Sequence, residues 1–195
     1  MNCRRVAPDV WLGFARCLPA GCTTVRGLMW SRDRVAADRA VAAVLKASGY
    51  RRDDCATSRS HTRGVAVAVV APAGVRVGVD LVAVDRVDRR HAEAILSRAE
   101  WDMLAPYAAV RPALAWALKE AAAKAAGDPL RCFPHGISIA AGARELTIES
   151  GALDFAAEWG LFDRFLYAWV RACSRHPERS EGGTTQGMAP SLRSG

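Results

Sequence analysis

The stretch that most constrains this chain is Arg111 to Gly127, RPALAWALKEAAAKAAG. Alanine dominates its interior, and alanine loses least on entering a helix. Pro112 stands where a first helical turn tolerates proline, because the N–H it lacks has no intrahelical partner there. Gly127, followed by Asp128 and Pro129, is a stop signal. The segment predicts a helix, and at about 3.6 residues per turn Trp116, Glu120 and Lys124 stack along one side of it, with Lys119 flanking. The plainest account of that side is a solvated face carrying a Glu-to-Lys pair, which contributes only a few tenths of a kcal/mol. A second carboxylate, Asp80, in an apolar segment upstream, gives reason to look further.

The chain has 195 residues, of which 51% are apolar, enough for a globular body with a sizeable core. Its formal charge of +7 and pI of about 9.5 favour acidic partners without choosing among them. Nucleic acid is the weaker choice, because no basic stripe is interleaved with aromatics and several arginines fall in the C-terminal tail. The six cysteines are scattered with no C-x-x-C, and the four histidines lie apart from them, which argues against zinc and for reduced thiols in the cytoplasm. Near the N-terminus, Asp9 and Arg16 interrupt the apolar core an export signal needs. The longest uncharged strand-like run, Gly64 to Val75, is too short to span a bilayer and contains Pro72.

Taken in order, Met1 to Met29 resists assignment, although Trp11, Leu12 and Phe14 would anchor a strand or short helix. Ser31 to Gly49 predicts a helix capped by Ser31, with Val35, Ala36, Val41, Ala42 and Leu45 on its apolar stripe. Arg51 to Thr62 reads as a polar loop ending in Ser60, His61 and Thr62. Gly64 to Val70 and Val75 to Val84 read as a β-hairpin about Pro72, Ala73 and Gly74. Asp80 sits inside the second of these strands, where an ionised carboxylate costs several kcal/mol unless a cation or donors compensate. Gly78, two before it, suggests that something approaches the backbone closely. Asp88 caps a short helix to Leu96, and Ser97 with Glu100 forms a capping box for another. Gly136 to Gly142 and Glu145 to Glu149 read as strands, and Trp159 to Val170 as a final strand bent near Asp163. Ser174 to Gly195 has almost no large apolar residue and reads as a disordered tail.

Three pieces now stand in order: Ser60-His61, then Gly78-Val79-Asp80, then Trp116-Ala117-Leu118-Lys119-Glu120 running on to Lys124. In this combination the chain resembles the 4′-phosphopantetheinyl transferase superfamily over about Thr57 to Gly142. That family has a G-[IV]-D strand, a [FW]-x-x-K-E-x-x-x-K helix and, in its larger surfactin-synthetase-activating branch, an S-H loop. The resemblance implies an α+β fold of antiparallel strands packed against helices, in two pseudo-symmetric lobes. Residues 1–71 would be an abbreviated first lobe, 72–173 the lobe carrying the motifs, and 174–195 the tail. A monomer is expected, with a trimer as the alternative.

The implied reaction moves the phosphopantetheine arm of coenzyme A onto a serine of an acidic apo carrier protein of fatty-acid, polyketide or peptide synthesis, releasing adenosine bisphosphate. Attack on a pyrophosphate requires charge neutralisation, and Mg2+ with oxygen ligands is the natural agent. Asp80 and Glu120 would be its ligands. Ser60, His61, Lys119 and Lys124 would bind the coenzyme A phosphates, and Glu120 and Lys119 would be the catalytic pair. Either Glu120 or a metal-bound water would take the serine proton. Trp116 would be a packing residue. The chain departs from the family's pattern where further acids are common, at Val82 and Ala83. The alternative reading is therefore a degenerate protein that binds coenzyme A or a carrier without turnover.

Overall fold

Extended segments pair into two antiparallel sheets in the computed structural model, which describes residues 2–17, 26–127, 136–141, 146–150 and 153–173. The first sheet contains β1 (Asn2–Ala7), β2 (Val10–Arg16), β3 (Cys55–Thr62) and β4 (Val65–Pro72), in the order β1-β2-β4-β3. β4, VAVAVVAP, is apolar at both parities because both of its faces are covered. On one face Ala66, Ala68 and Val70 meet Ala36, Ala40 and Val44 of α1 (Arg26–Ser48). On the other, Val65, Val67 and Val69 meet the second sheet.

That sheet contains β5 (Val77–Ala83), β6 (Ser138–Ala141), β7 (Leu146–Ser150), β8 (Leu153–Phe162) and β9 (Phe165–Cys173), in the order β5-β9-β8-β7-β6. Its inner face gives Val77, Val79, Leu81, Phe165, Tyr167 and Trp169 to the core between the sheets. Its outer face, including Ile148, Phe155 and Leu166, is covered by α4 (Arg111–Ala126), with α2 (Arg89–Ile95) and α3 (Arg98–Met103) alongside. The layers therefore run helix, sheet, sheet, helix, an α+β fold of antiparallel sheets packed against helices, as the sequence implied.

The predicted central helix is α4, and Gly127 ends it in the left-handed conformation (φ 81°) that a side chain would resist. Asp88 caps α2 by accepting from the His91 N–H, and the Ser97–Glu100 capping box is formed. β6 and β7 pair where two strands were expected. Among the described residues no helix is long and apolar enough to cross a membrane.

Four expectations are corrected. The segments either side of Pro72 are not a hairpin, because both edges of β4 are taken by β2 and β3 and β5 pairs with β9 instead. The polar stretch before Gly64 is mostly strand β3, paired along β4 with Ser60 opposite Val67. The final strand is two strands, β8 and β9, joined at Asp163 and Arg164; Asp163 adopts φ 59°, which aspartate tolerates better than most residues. Finally, α1 begins at Arg26, upstream of Ser31, and turns Ala37, Ala40 and Val44 inward while Val35 stays 42% exposed. The predicted tail, 174–195, lies outside the described residues.

Candidate functional site

Along β5, alternation sends Val79 and Leu81 into the core between the sheets and turns Gly78 and Asp80 toward α4. A β-carbon on Gly78 would lie 1.9 Å from the Ala121 carbonyl oxygen, so the missing side chain is what lets α4 lie against this strand. That close approach brings Lys124 to Asp80. The Lys124 Nζ donates to Asp80 Oδ1 at 2.6 Å and to the Val79 carbonyl at 3.2 Å.

The other side of Asp80 is supplied by the first sheet. β3 and β5 are both edge strands, and they lie side by side. Ser60 Oγ donates to Asp80 Oδ1 at 2.7 Å, and Ser58 Oγ accepts from the Val79 N–H at 3.1 Å. Asp80 is 6% exposed, and a carboxylate so buried is held by a charge and a hydroxyl, both on Oδ1.

Glu120 stands one helical turn before Lys124 and is half-buried. Burial and then the negative charge of Asp80 raise its pKa, while Lys124 pulls it back in part. The two carboxylates are therefore within electrostatic reach of each other, and one lysine serves both. Among the described residues, no third histidine, cysteine, aspartate or glutamate completes a cluster with them. The positions where a further acid was missed explain themselves sterically in one case: Ala83 faces the core between the sheets, where a carboxylate would be stranded.

Two of the predicted residues stand apart from this group. His61 follows Ser60 on β3, so alternation turns it to the opposite face, where its Nδ1 is 3.7 Å from Asp33 of α1. Lys119 points into the body of the protein and is 2% exposed. Its Nζ donates to the Ile95 carbonyl at 2.7 Å and pairs with Glu100 at 3.0 Å. Lys119, expected to flank the Glu120 face and contribute charge toward the coenzyme A phosphates, lies on the buried side of α4. Neighbouring residues on a helix point about 100° apart, so a lysine beside Glu120 need not share its surface. Trp116 is partly buried against the outer core and meets His91 edge-on, consistent with packing.

Residues 76–156 match the family model of the 4′-phosphopantetheinyl transferase superfamily. Over that segment the chain is similar to that superfamily. Phosphopantetheinyl transfer is the activity the superfamily is named for, and no curated protein matches the chain. The matched segment includes Asp80, Glu100, Lys119, Glu120 and Lys124; Ser60 and His61 lie before it. Glu100 was read from sequence only as a helix cap. The signal that could have found its second role is weak: an acid one helix away from a lysine that interrupts an alanine-rich apolar surface.

Proposed function

We propose that this protein transfers the 4′-phosphopantetheine arm of coenzyme A to a serine of an apo carrier protein. The observation that supports this most is the convergence of Asp80 from β5 and Glu120 from α4 about a single lysine, Lys124. Burial and the nearby charge of Asp80 raise the Glu120 pKa, so the site calls for a cation, and Lys124 supplies only part of that charge. Their oxygen-only donor set suits a hard divalent ion that keeps several waters, as Mg2+ does. Asp80 and Glu120 would hold Mg2+, which when bound neutralises charge on the pyrophosphate of coenzyme A.

The remaining work falls to side chains of this chain. Lys124 faces the phosphates as a point charge, and Ser60 holds the Asp80 carboxylate in its orientation. His61, on the α1 side of β3, contacts coenzyme A from there. Glu120 takes the proton of the carrier serine; the serine oxygen bonds to the β-phosphorus as the phosphorus–oxygen bond to the leaving group breaks, releasing adenosine 3′,5′-bisphosphate. Lys119 serves catalysis from the buried side of α4.

On this reading 1–71 and 72–173 are two lobes of a monomer, joined by the apolar layer between their sheets. The protein works in the cytoplasm, which suits the free thiols Cys3, Cys17, Cys55 and Cys173. Its basic charge of +7 suits an acidic carrier protein.

The test is direct. Purified protein with Mg2+, coenzyme A and an apo carrier protein adds the phosphopantetheine mass to the carrier, and Glu120→Gln, still folded, does not. No mass shift with carriers of fatty-acid, polyketide and peptide synthesis would overturn the reading. The partly buried Val82, where an acid is common, favours one second reading: a protein that grips coenzyme A without turnover. Tight coenzyme A binding with no modified carrier would select it.

A further inference from the structure

The buried side chains of α4 are alanines, with Leu114, Leu118 and Lys119 as the exceptions. Methyl groups make shallow ridges, so apolar packing alone sets the rotation of such a helix weakly. The rotation matters, because it decides where Glu120 points relative to Asp80. What supplies directional contacts on the buried side is the pair Lys119 and Glu100.

The pair gathers four elements. Glu100 closes the capping box of α3 by accepting from the Ser97 N–H through Oε2 at 2.7 Å. Its other oxygen, Oε1, accepts from the Ile139 N–H at the edge of β6 at 2.9 Å and from Lys119 Nζ at 3.0 Å. Lys119 in turn donates to the Ile95 carbonyl, in the last turn of α2, at 2.7 Å. A capping glutamate has no need of burial, yet Glu100 is 7% exposed. Burial opposes its ionisation, but the Ser97 and Ile139 amides, followed by Lys119, outweigh that and hold the carboxyl below the usual range. Such a pair contributes little net stability compared with apolar residues of its size, so its value lies in geometry.

We propose that Glu100 is a positioning residue: through the buried Lys119 ammonium it fixes the rotation of α4 and hence the reach of Glu120 toward Asp80. This rests on the reading of Asp80 and Glu120 as ligands of a divalent cation. The adjacency of Lys119 and Glu120 in sequence then has a physical meaning. One side chain locks the helix into the body, and the next, about 100° around the axis, is within electrostatic reach of Asp80.

The test uses Mn2+ as the probe, with binding to the full chain followed by electron paramagnetic resonance in the presence of coenzyme A. The double variant Glu100→Gln/Lys119→Met removes both charges at similar volume, and folding is checked by circular dichroism and thermal melting. The expected result is a folded protein whose Mn2+ affinity falls about tenfold or more, as for other groups that orient metal ligands. Its kcat for transfer falls with it, while the KM for carrier stays near the wild-type value. A folded double variant with unchanged Mn2+ affinity overturns the positioning role. Wild-type protein that binds no Mn2+ instead sinks the reading of the site itself. Should the double variant not fold, Glu100→Gln alone is measured, since it keeps an acceptor for the Ser97 N–H. If neither folds, the pair serves folding only and the proposal is overturned.

Discussion

Lys124 and Asp80 join α4 to β5 at 2.6 Å, the ammonium reaching past its own helix to the Val79 carbonyl as well. A lysine reaches both only if helix and strand lie unusually close. The site therefore depends on a position that carries no chemistry at all, Gly78.

Gly78→Ala puts a methyl group where the Ala121 carbonyl oxygen now is, at 1.9 Å. Backbone cannot yield as a flexible side chain does, so α4 must move away from β5. The expected cost is about 1–3 kcal/mol or more, as for overpacked cores. A lowered denaturant midpoint and reduced transfer would appear together, because the same shift draws Lys124 and Glu120 away from Asp80. A variant of wild-type stability would mean that the helix lies further out than described.

Ser60→Ala tests the contribution of the first sheet. It removes the hydroxyl that donates to Asp80 Oδ1 at 2.7 Å and leaves Lys124 as the remaining donor to that oxygen. Stability should fall by about 1 kcal/mol, the usual net value of a buried hydrogen bond. Ser58 still accepts from the Val79 N–H, so the two edge strands stay together. The Asp80 carboxylate gains rotational freedom, and the Mg2+ concentration for half-maximal transfer should rise. An unchanged Mg2+ requirement would leave Ser60 with a structural role only.

What the sequence disclosed follows the range of the forces involved. α4 and its glycine stop, the Asp88 cap and the Ser97–Glu100 box are local arrangements, written in adjacent residues. The Asp80 and Glu120 motifs were legible because their residue types and order are distinctive. Strand pairing was not. Two valine-rich segments flanking Pro72 look like a hairpin until one knows that β9, far along the chain, claims β5. β3 hid because its outward positions are polar and exposed, which blurs the alternation. The burial of Lys119 hid because a lysine reads as exposed unless its partner is known, and that partner sits on another helix.

Glu120 should show its strain in the pH dependence of stability. Burial, then repulsion by Asp80, raises its pKa in the folded chain above the ordinary carboxylate value of the unfolded one. Between those two values the native state holds more protons than the unfolded state, so this group's contribution to stability falls as pH rises through that window. Glu120→Gln removes the effect. In metal-free protein the variant should therefore be more stable than wild type at neutral pH, with the difference vanishing as pH drops below the ordinary carboxylate range. Urea denaturation across pH would show it, and a variant less stable at neutral pH would contradict the crowded pair.

Lys124→Met separates the lysine's two tasks. It leaves the Asp80 carboxylate buried with Ser60 as its remaining partner on Oδ1, at a cost of about 1–3 kcal/mol. It also removes the charge that pulls the Glu120 pKa down, so in metal-free protein that pKa should rise further. If Lys124 faces a coenzyme A phosphate, losing one charge-assisted contact of about 1.5 kcal/mol raises the KM for coenzyme A on the order of tenfold. Asp80→Asn/Lys124→Met, which removes both charges of the Asp80–Lys124 pair together, should recover much of the stability but none of the transfer. Recovery of stability without activity would assign the pair to chemistry rather than to holding α4 on β5. Full activity in the double variant would remove Asp80 from the site.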